Sequence, residues 1–270
     1  MSNAEPKHID QESSCNPAWS RTSADYAEHR QPFPSSFFSR LAARGLLVPG
    51  RRALDLGTGT GAIALPLAHR GLSVVGVDIA EGQLNEARRR AGKKVAYIRR
   101  PAEQTGLETA SFDLVFAGQC WHWFDRPRAA AEAARVLAPG GSLIIAHLDW
   151  IARPGSVPAR TVELANAYGS FVSPKIQERQ LNSLYGPWLA DLADAGFESI
   201  ESFSYDVNLR YSHVGWRGRV RASALVGASM PDDRVERFDR DLAAILADDL
   251  DPMRVPHRVF AATGVRGPRA

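Results

Sequence analysis

The sequence predicts an α/β fold: a doubly wound, seven-stranded, mostly parallel sheet with a helical cap. Three observations carry this expectation. The apolar run Ala53-Leu54-Asp55-Leu56 leads straight into Gly57-Thr58-Gly59-Thr60-Gly61. A second run, Val74-Val75-Gly76-Val77, ends on Asp78 one helix-length later. Apolar, strand-length runs then alternate with helical periods as far as residue 150.

In chain order, residues 35–48 place Phe37, Phe38, Leu41, Leu46 and Leu47 at helical spacing, with Ser35 or Ser36 as the cap and Gly45 as the stop. Pro49-Gly50 turns the chain into a first strand at 52–57. A helix follows over 60–70, then a strand over 74–78. A helix at 81–91 ends on Arg88, Arg89 and Arg90, where cations suit the helix dipole. Strands are expected at 95–99 and 112–118, the latter nearly all apolar, as buried parallel strands are. Pro127 opens a helix reaching 137. Pro139-Gly140-Gly141 reads as a turn, and 142–148 as the fifth strand. Helices are expected at 157–171 and 184–195, and strands at 197–207 and 255–263. The period of Val235, Phe238, Leu242, Ile245 and Leu246 makes 232–249 an amphipathic helix. The expected organisation is a tail and lid over 1–50, a core over 51–150, cap helices over 151–194, and the last two strands over 195–270 with a helical insertion at about 208–252.

Composition narrows the function. The 270 residues carry 33 Lys and Arg against 30 Asp and Glu, so a net charge of +3 gives no nucleic-acid footprint. Only four of the cations are Lys, which reads as compositional bias. No apolar run is long enough to span a membrane. Residues 1–14 lack the pattern of a signal peptide. Cys15 and Cys120 form neither a disulfide framework nor a metal motif. The expectation is a cytoplasmic protein with a small-molecule substrate, anionic if the Arg residues of 210–221 bind it, and with no metal; the oligomeric state is left open.

The glycine spacing carries the chemistry. Glycine lets the backbone turn sharply and approach a ligand closely, and an acid ending the second strand can accept from both ribose hydroxyls. The spacing is Gly-x-Gly-x-Gly rather than the Gly-x-Gly-x-x-Gly of dinucleotide sites. Asp55, just before it, would repel a pyrophosphate but suits an ammonium or a sulfonium. These residues resemble motif I and the ribose-binding acid of class I S-adenosylmethionine (SAM) methyltransferases, whose sheet is Rossmann-like. Phe112-Asp113-Leu114-Val115 and Arg135-Val136-Leu137-Ala138-Pro139-Gly140-Gly141 resemble two further motifs of these enzymes. Gln119-Cys120-Trp121-His122-Trp123-Phe124-Asp125 resembles the methyltransferase type 11 group, including enzymes similar to trans-aconitate methyltransferase.

The resemblance implies SAM as cofactor and S-adenosylhomocysteine as product. It implies that Gly57, Thr58, Gly59 and Gly61 line the methionine part. Asp55 would lie near its ammonium, Asp78 at the ribose and Ile79 against adenine. Ala102 and Glu103 would meet the adenine edge, and Gln119 would lie beside the sulfonium. Tyr26 and Arg30 would close over the cofactor, although Gln31 interrupts the Arg-Pro pair of the family.

Other residues are read both ways. Trp121, His122 and Trp123 cannot all face one direction, so a split is expected, with one Trp in the core and His122 towards the cofactor. His122 is also the candidate general base. Asp149 and Trp150 end the fifth strand, where substrate can enter. His213, Trp216 and Arg217 belong to an Arg-bearing stretch. If it is extended, Arg217, Arg219 and Arg221 point one way and could hold a carboxylate; otherwise it is a solvated face. His257, within an apolar strand, reads as a core histidine. The expected function is methyl transfer from SAM to a small molecule, at a carboxyl or hydroxyl oxygen. The alternatives are a relative that binds SAM without methylating, an N- or C-methyltransferase, or a nicotinamide oxidoreductase, which the glycine spacing disfavours.

Overall fold

In a computed structural model, described over residues 28–169, 183–223, 225–227 and 230–268, the chain forms one seven-stranded sheet. The strands are β1 (Arg52–Leu56), β2 (Ser73–Asp78), β3 (Val95–Arg99), β4 (Phe112–Gly118), β5 (Leu137–Trp150), β6 (Phe197–Tyr211) and β7 (Met253–Arg266). Their spatial order is β3-β2-β1-β4-β5-β7-β6. The first five pair in parallel, and β7 runs antiparallel to both of its neighbours. The reversal of order beside β1 opens a crevice at the carboxyl ends of β1 and β4, where doubly wound sheets bind ligands.

Among the described residues the helices are α1 (Ser35–Ala43), α2 (Ala64–Ala68), α3 (Glu81–Ala91), α4 (Arg126–Val136), α5 (Val157–Ala167), α6 (Pro187–Asp194), α7 (His213–Arg221) and α8 (Asp232–Leu246). Alternation along the strands sorts the core into two layers. Leu54, Leu56, Val115, Ala117, Leu143 and Ile145 face one side, with Ala129, Ala133 and Val136 of α4 and Trp188 and Leu192 of α6. Ala53, Leu114, Phe116, Ile144 and Ala146 face the other, under Phe37, Phe38 and Leu41 of α1 and Ala64 and Leu67 of α2. A third cluster joins α5, α7 and α8 through Trp216, Val220, Phe238 and Leu242 and reaches β7 through Met253 and Val255.

Several expectations are corrected. Helix α1 begins without a side-chain cap: Pro34, not Ser35 or Ser36, is its N-cap residue. The helix expected over 60–70 is regular only over Ala64–Ala68, because residues 57–63 are taken up by the glycine turn. Pro139-Gly140-Gly141 is a bulge within β5 rather than a turn before it. The register with β4 shifts between Phe112 and Leu114, and Gly140 sits at φ 77°. The stretch 213–221 is helical, not extended. Ser212 caps it by accepting from the Gly215 N–H, and Trp216, Arg219 and Val220 form its buried side. Tyr26, Cys15 and residues 170–182 of the expected cap lie outside the described residues.

Phe238 is wholly buried in the third cluster, edge-on to Tyr168 with ring centres 5.6 Å apart. Phe238→Ala is expected to lower stability by about 3–5 kcal/mol. Urea denaturation followed by far-UV circular dichroism measures this, as a lower midpoint at unchanged slope.

Candidate active site

The glycine turn after β1 is held from two sides by carboxylates. Below it, Asp55 is 1% exposed, and its Oδ2 accepts from Thr58 Oγ1 at 2.7 Å and from the Ala64 N–H at 3.1 Å. Beside it, Asp78 Oδ2 accepts from the Gly59 N–H at 2.9 Å, and Oδ1 from the Ala80 N–H at 2.9 Å. Gly57 and Gly59 both lie in the left-handed region, at φ 59° and 54°. A Cβ on Gly57 would stand 2.9 Å from Cys120 Cβ and 3.0 Å from the Phe124 ring, so the segment after β4 presses directly on this turn. A Cβ on Gly59 would find only Gln83 Oε1, 4.0 Å away.

Burial pushes the Asp55 carboxyl up to about 7, against the lowering effect of its two hydrogen bonds. Burial also raises Asp78, opposed by the backbone N–H groups that it accepts from. Tyr97 lies on the far side of the turn. A Cβ on Gly61 would meet its hydroxyl at 2.6 Å, and burial with the nearby Asp55 charge raises that hydroxyl to about 12.

The other residues expected at the cofactor follow the ends of β2, β3 and β4, except Arg30 ahead of α1 and Tyr26 outside the described residues. Ile79 is 44% exposed beyond Asp78, an apolar surface beside an acid. Ala102 is buried, and Glu103 Oε1 accepts from the Asp125 N–H at 2.9 Å, tying strand β3's exit to the segment after β4. Gln119 adopts φ 71° and donates Nε2 to Leu148 O at 2.8 Å, while its buried Oε1 has no hydrogen-bond partner among the described residues. Gln83 Oε1 is in the same state. Thr58 turns its side chain inward to Asp55, leaving backbone as its exposed contribution. Two acceptors without donors, two acids and an open approach at Gly59 fit a cationic, donor-rich ligand such as SAM.

The Trp-His-Trp segment forms a short 3-10 turn, Trp121–Trp123. Trp121 is fully buried and donates Nε1 to Asp191 Oδ2 at 2.8 Å, whereas Trp123 is 50% exposed. The His122 ring lies between Trp123, at 4.6 Å, and His147 of β5, at 5.4 Å. Asp149 Oδ2 lies 3.8 Å from His147 Nε2 and accepts from the Tyr185 hydroxyl at 3.3 Å. Burial raises the Asp149 carboxyl, opposed by the charges of Arg219 and Arg30.

The Arg-bearing stretch divides. Arg217 and Arg221, one helical turn apart, both bind Asp239 of α8, so Arg217 is engaged in holding two helices together. Trp216 is wholly buried and donates Nε1 to Thr161 Oγ1 at 3.0 Å. His213 begins α7, with Nε2 buried. Arg219 is only 6% exposed and lies over the Trp150 ring at 4.7 Å, on the crevice side with Asp149. Arg30 also reaches this region, since its charge acts on Asp149, Tyr211 and Cys120. His257 donates Nδ1 to Val255 O at 2.9 Å, and burial lowers it to about 4.

The sequence reading missed Tyr97, His147, Tyr185 and Trp188. The one available signal was the i, i+2 spacing of His147 and Asp149 at a strand end, which puts both on one face.

An acid held at about 7 in the fold and near 3.8 when unfolded takes up a proton on folding. Its contribution therefore weakens the fold as pH rises from about 4 to about 7 and is constant outside that window. Asp55→Asn retains an acceptor without the charge. Its stability relative to wild type is expected to improve steadily across that window in urea denaturation at stepped pH.

Residues 54–145 match the family described as "Methyltransferase domain", Methyltransf_11. An uncharacterized methyltransferase of Mycobacterium tuberculosis is 40% identical over 116 residues, covering 41% of this chain and 47% of that protein. The malonyl-[acyl-carrier protein] O-methyltransferase of Serratia marcescens is 36% identical over 110 residues, covering 40% of this chain and 43% of that protein. The matches thus span less than half the length of these relatives. A solved structure from Anaeromyxobacter dehalogenans, assigned as a type II methyltransferase, superposes with a TM-score of 0.67 at 26% identity, covering 89% of this chain and 99% of the other. Residues 54–145 thus form a methyltransferase domain of the class I, S-adenosylmethionine-dependent type.

Proposed function

We propose that this protein transfers the methyl group of SAM to an oxygen of a small-molecule acceptor. The observation that carries the reading is the glycine turn clamped between Asp55 and Asp78, with Ile79 exposed beyond it. When bound, SAM supplies a methyl group already activated on a sulfonium. Gly57 to Gly61 would accommodate its methionine part, Asp78 its ribose and Ile79 its adenine.

The protein's own task is then to align an acceptor and exclude water. Proximity of this kind supplies several kcal/mol, up to roughly 7–11 in ideal systems. The rings of His122 and Trp123 would border the acceptor, with Tyr185 and Trp188 buried against His147 behind them. Arg219 and Arg30 add positive charge beyond Asp149 and favour an acceptor with an anionic group. Similarity to an O-methyltransferase over 110 residues supports oxygen as the acceptor atom.

Isothermal titration with SAM, S-adenosylhomocysteine and NAD tests the cofactor reading: binding of NAD with none of either sulfur compound would overturn it. Asp78→Ala is expected to weaken S-adenosylhomocysteine binding by at least tenfold, about 1.4 kcal/mol, through loss of charged acceptors for the ribose. An affinity within twofold of wild type would remove Asp78 from the ribose site.

A further inference from the structure

The ends of β4 and β5 bring three ionisable side chains into line. Asp149 Oδ2 lies 3.8 Å from His147 Nε2, and the His147 ring meets the His122 ring edge-on at 5.4 Å. His122 is two residues from Cys120, whose side chain abuts the glycine turn. The three side chains lie at the end of β5 and on the segment after β4 that also carries Cys120. His147 is 6% exposed, packed by Tyr185 at 4.8 Å and Trp188 at 5.8 Å, while His122 is the more accessible of the two histidines.

We propose that His122 accepts the proton of an acceptor hydroxyl or phenol, and that His147 and Asp149 are positioning residues that favour its protonated form. This rests on the methyltransferase reading above and narrows its substrate class. A carboxylate acceptor is already ionised at neutral pH and needs no base. A hydroxyl must lose its proton as the oxygen becomes a nucleophile. In balanced form, the O–H proton passes to the His122 ring and the oxygen lone pair forms the new bond to carbon. The electron pair of the broken carbon–sulfur bond stays with the departing neutral thioether. His122 is left cationic and returns its proton to solvent.

The electrostatics favour that state. Asp149 is the acid facing His147 from its own strand. From the other elements packed against His147 come His122, Tyr185 with its ionisable hydroxyl on Asp149, and the uncharged Trp188 and Phe260. Burial raises the Asp149 carboxyl, and the charges of Arg219 and Arg30 oppose that rise. A carboxylate 3.8 Å from His147 Nε2, its side chain 31% exposed, would attract the positive charge that the proposed step leaves on the imidazole pair.

The experiment is a pH titration of the full chain, labelled with 15N-histidine and saturated with S-adenosylhomocysteine, read from the ring nitrogens. Asp149→Asn is expected to lower the His147 midpoint by about one unit, and Asp149→Asn and His147→Gln are each expected to lower that of His122 by about half a unit. A His122 midpoint unmoved in both variants overturns the proposal. Binding of S-adenosylhomocysteine by each variant shows that it is folded. Failure of the wild type to bind that compound would sink the methyltransferase reading instead, while the histidine coupling is still read in the unliganded chain. In a second arm, millimolar 4-methylumbelliferone is expected to shift the His122 ring nitrogens of the wild-type complex, and benzoate to leave them in place. A shift with benzoate alone, or with neither compound, overturns the hydroxyl assignment.

Discussion

The site depends on how one glycine turn is fastened. A backbone with left-handed residues at positions 57 and 59 has little intrinsic preference for one shape, and it has no side chains there to anchor it. The anchors come from outside. Asp55 pulls Thr58 and the first turn of α2 down onto the end of β1, and Asp78 draws the Gly59 N–H towards the end of β2. Each acid serves two donors, so each couples the turn to a neighbouring element. The cost is two carboxylates withdrawn from water in one small region, which is why burial raises both. A positively charged ligand beside them would relieve part of that cost, so the same arrangement that shapes the turn also favours a cation.

The turn in turn fixes the segment after β4. Cys120 and Phe124 occupy the space that any Cβ on Gly57 would need. Glu103 accepts from Asp125, and Gln119 donates to the end of β5. Trp121 is locked by burial and by Asp191. With both ends pinned, His122 and Trp123 are the residues left to face outwards. A change in the glycine turn would therefore move the proposed acceptor surface as well as the cofactor surface.

What the sequence made legible was local. Strand, glycine turn, strand and acid lie within 26 residues, and each signal acts on its immediate neighbours, so the order of the core and the two clamping acids could be read directly. The bulge at Gly140 and the late end of the glycine turn were misplaced because proline and glycine mark irregularity without naming its kind. The stretch 213–221 defeated periodicity. Its nine residues offer two buried anchors, Trp216 and Val220, and that spacing is read as a helix only once a partner is known. The partner is Thr161 and α8, more than 10 residues away in sequence on either side. Arg219 faces the crevice and Arg217 does not for the same reason.

His147, the residue proposed above to position His122, and His257 show why contacts between strands were the harder part to read. Both lie in apolar strands, both are nearly inaccessible, and the sequence treats them alike. Burial by itself drives an imidazole towards neutrality. For His257 nothing opposes this strongly: its Nδ1 donates to a main-chain carbonyl, Tyr211 stacks on its ring, and the charges that reach it, Arg219 and Arg30, are of the wrong sign. His147, by contrast, has a carboxylate at 3.8 Å on its own strand and a second imidazole across the gap to β4. The two buried imidazoles thus differ in the sign of their neighbours. A histidine surrounded by cations stays a packing residue, and one backed by an acid can hold a proton. That distinction lies in contacts between strands, not in any single stretch of chain.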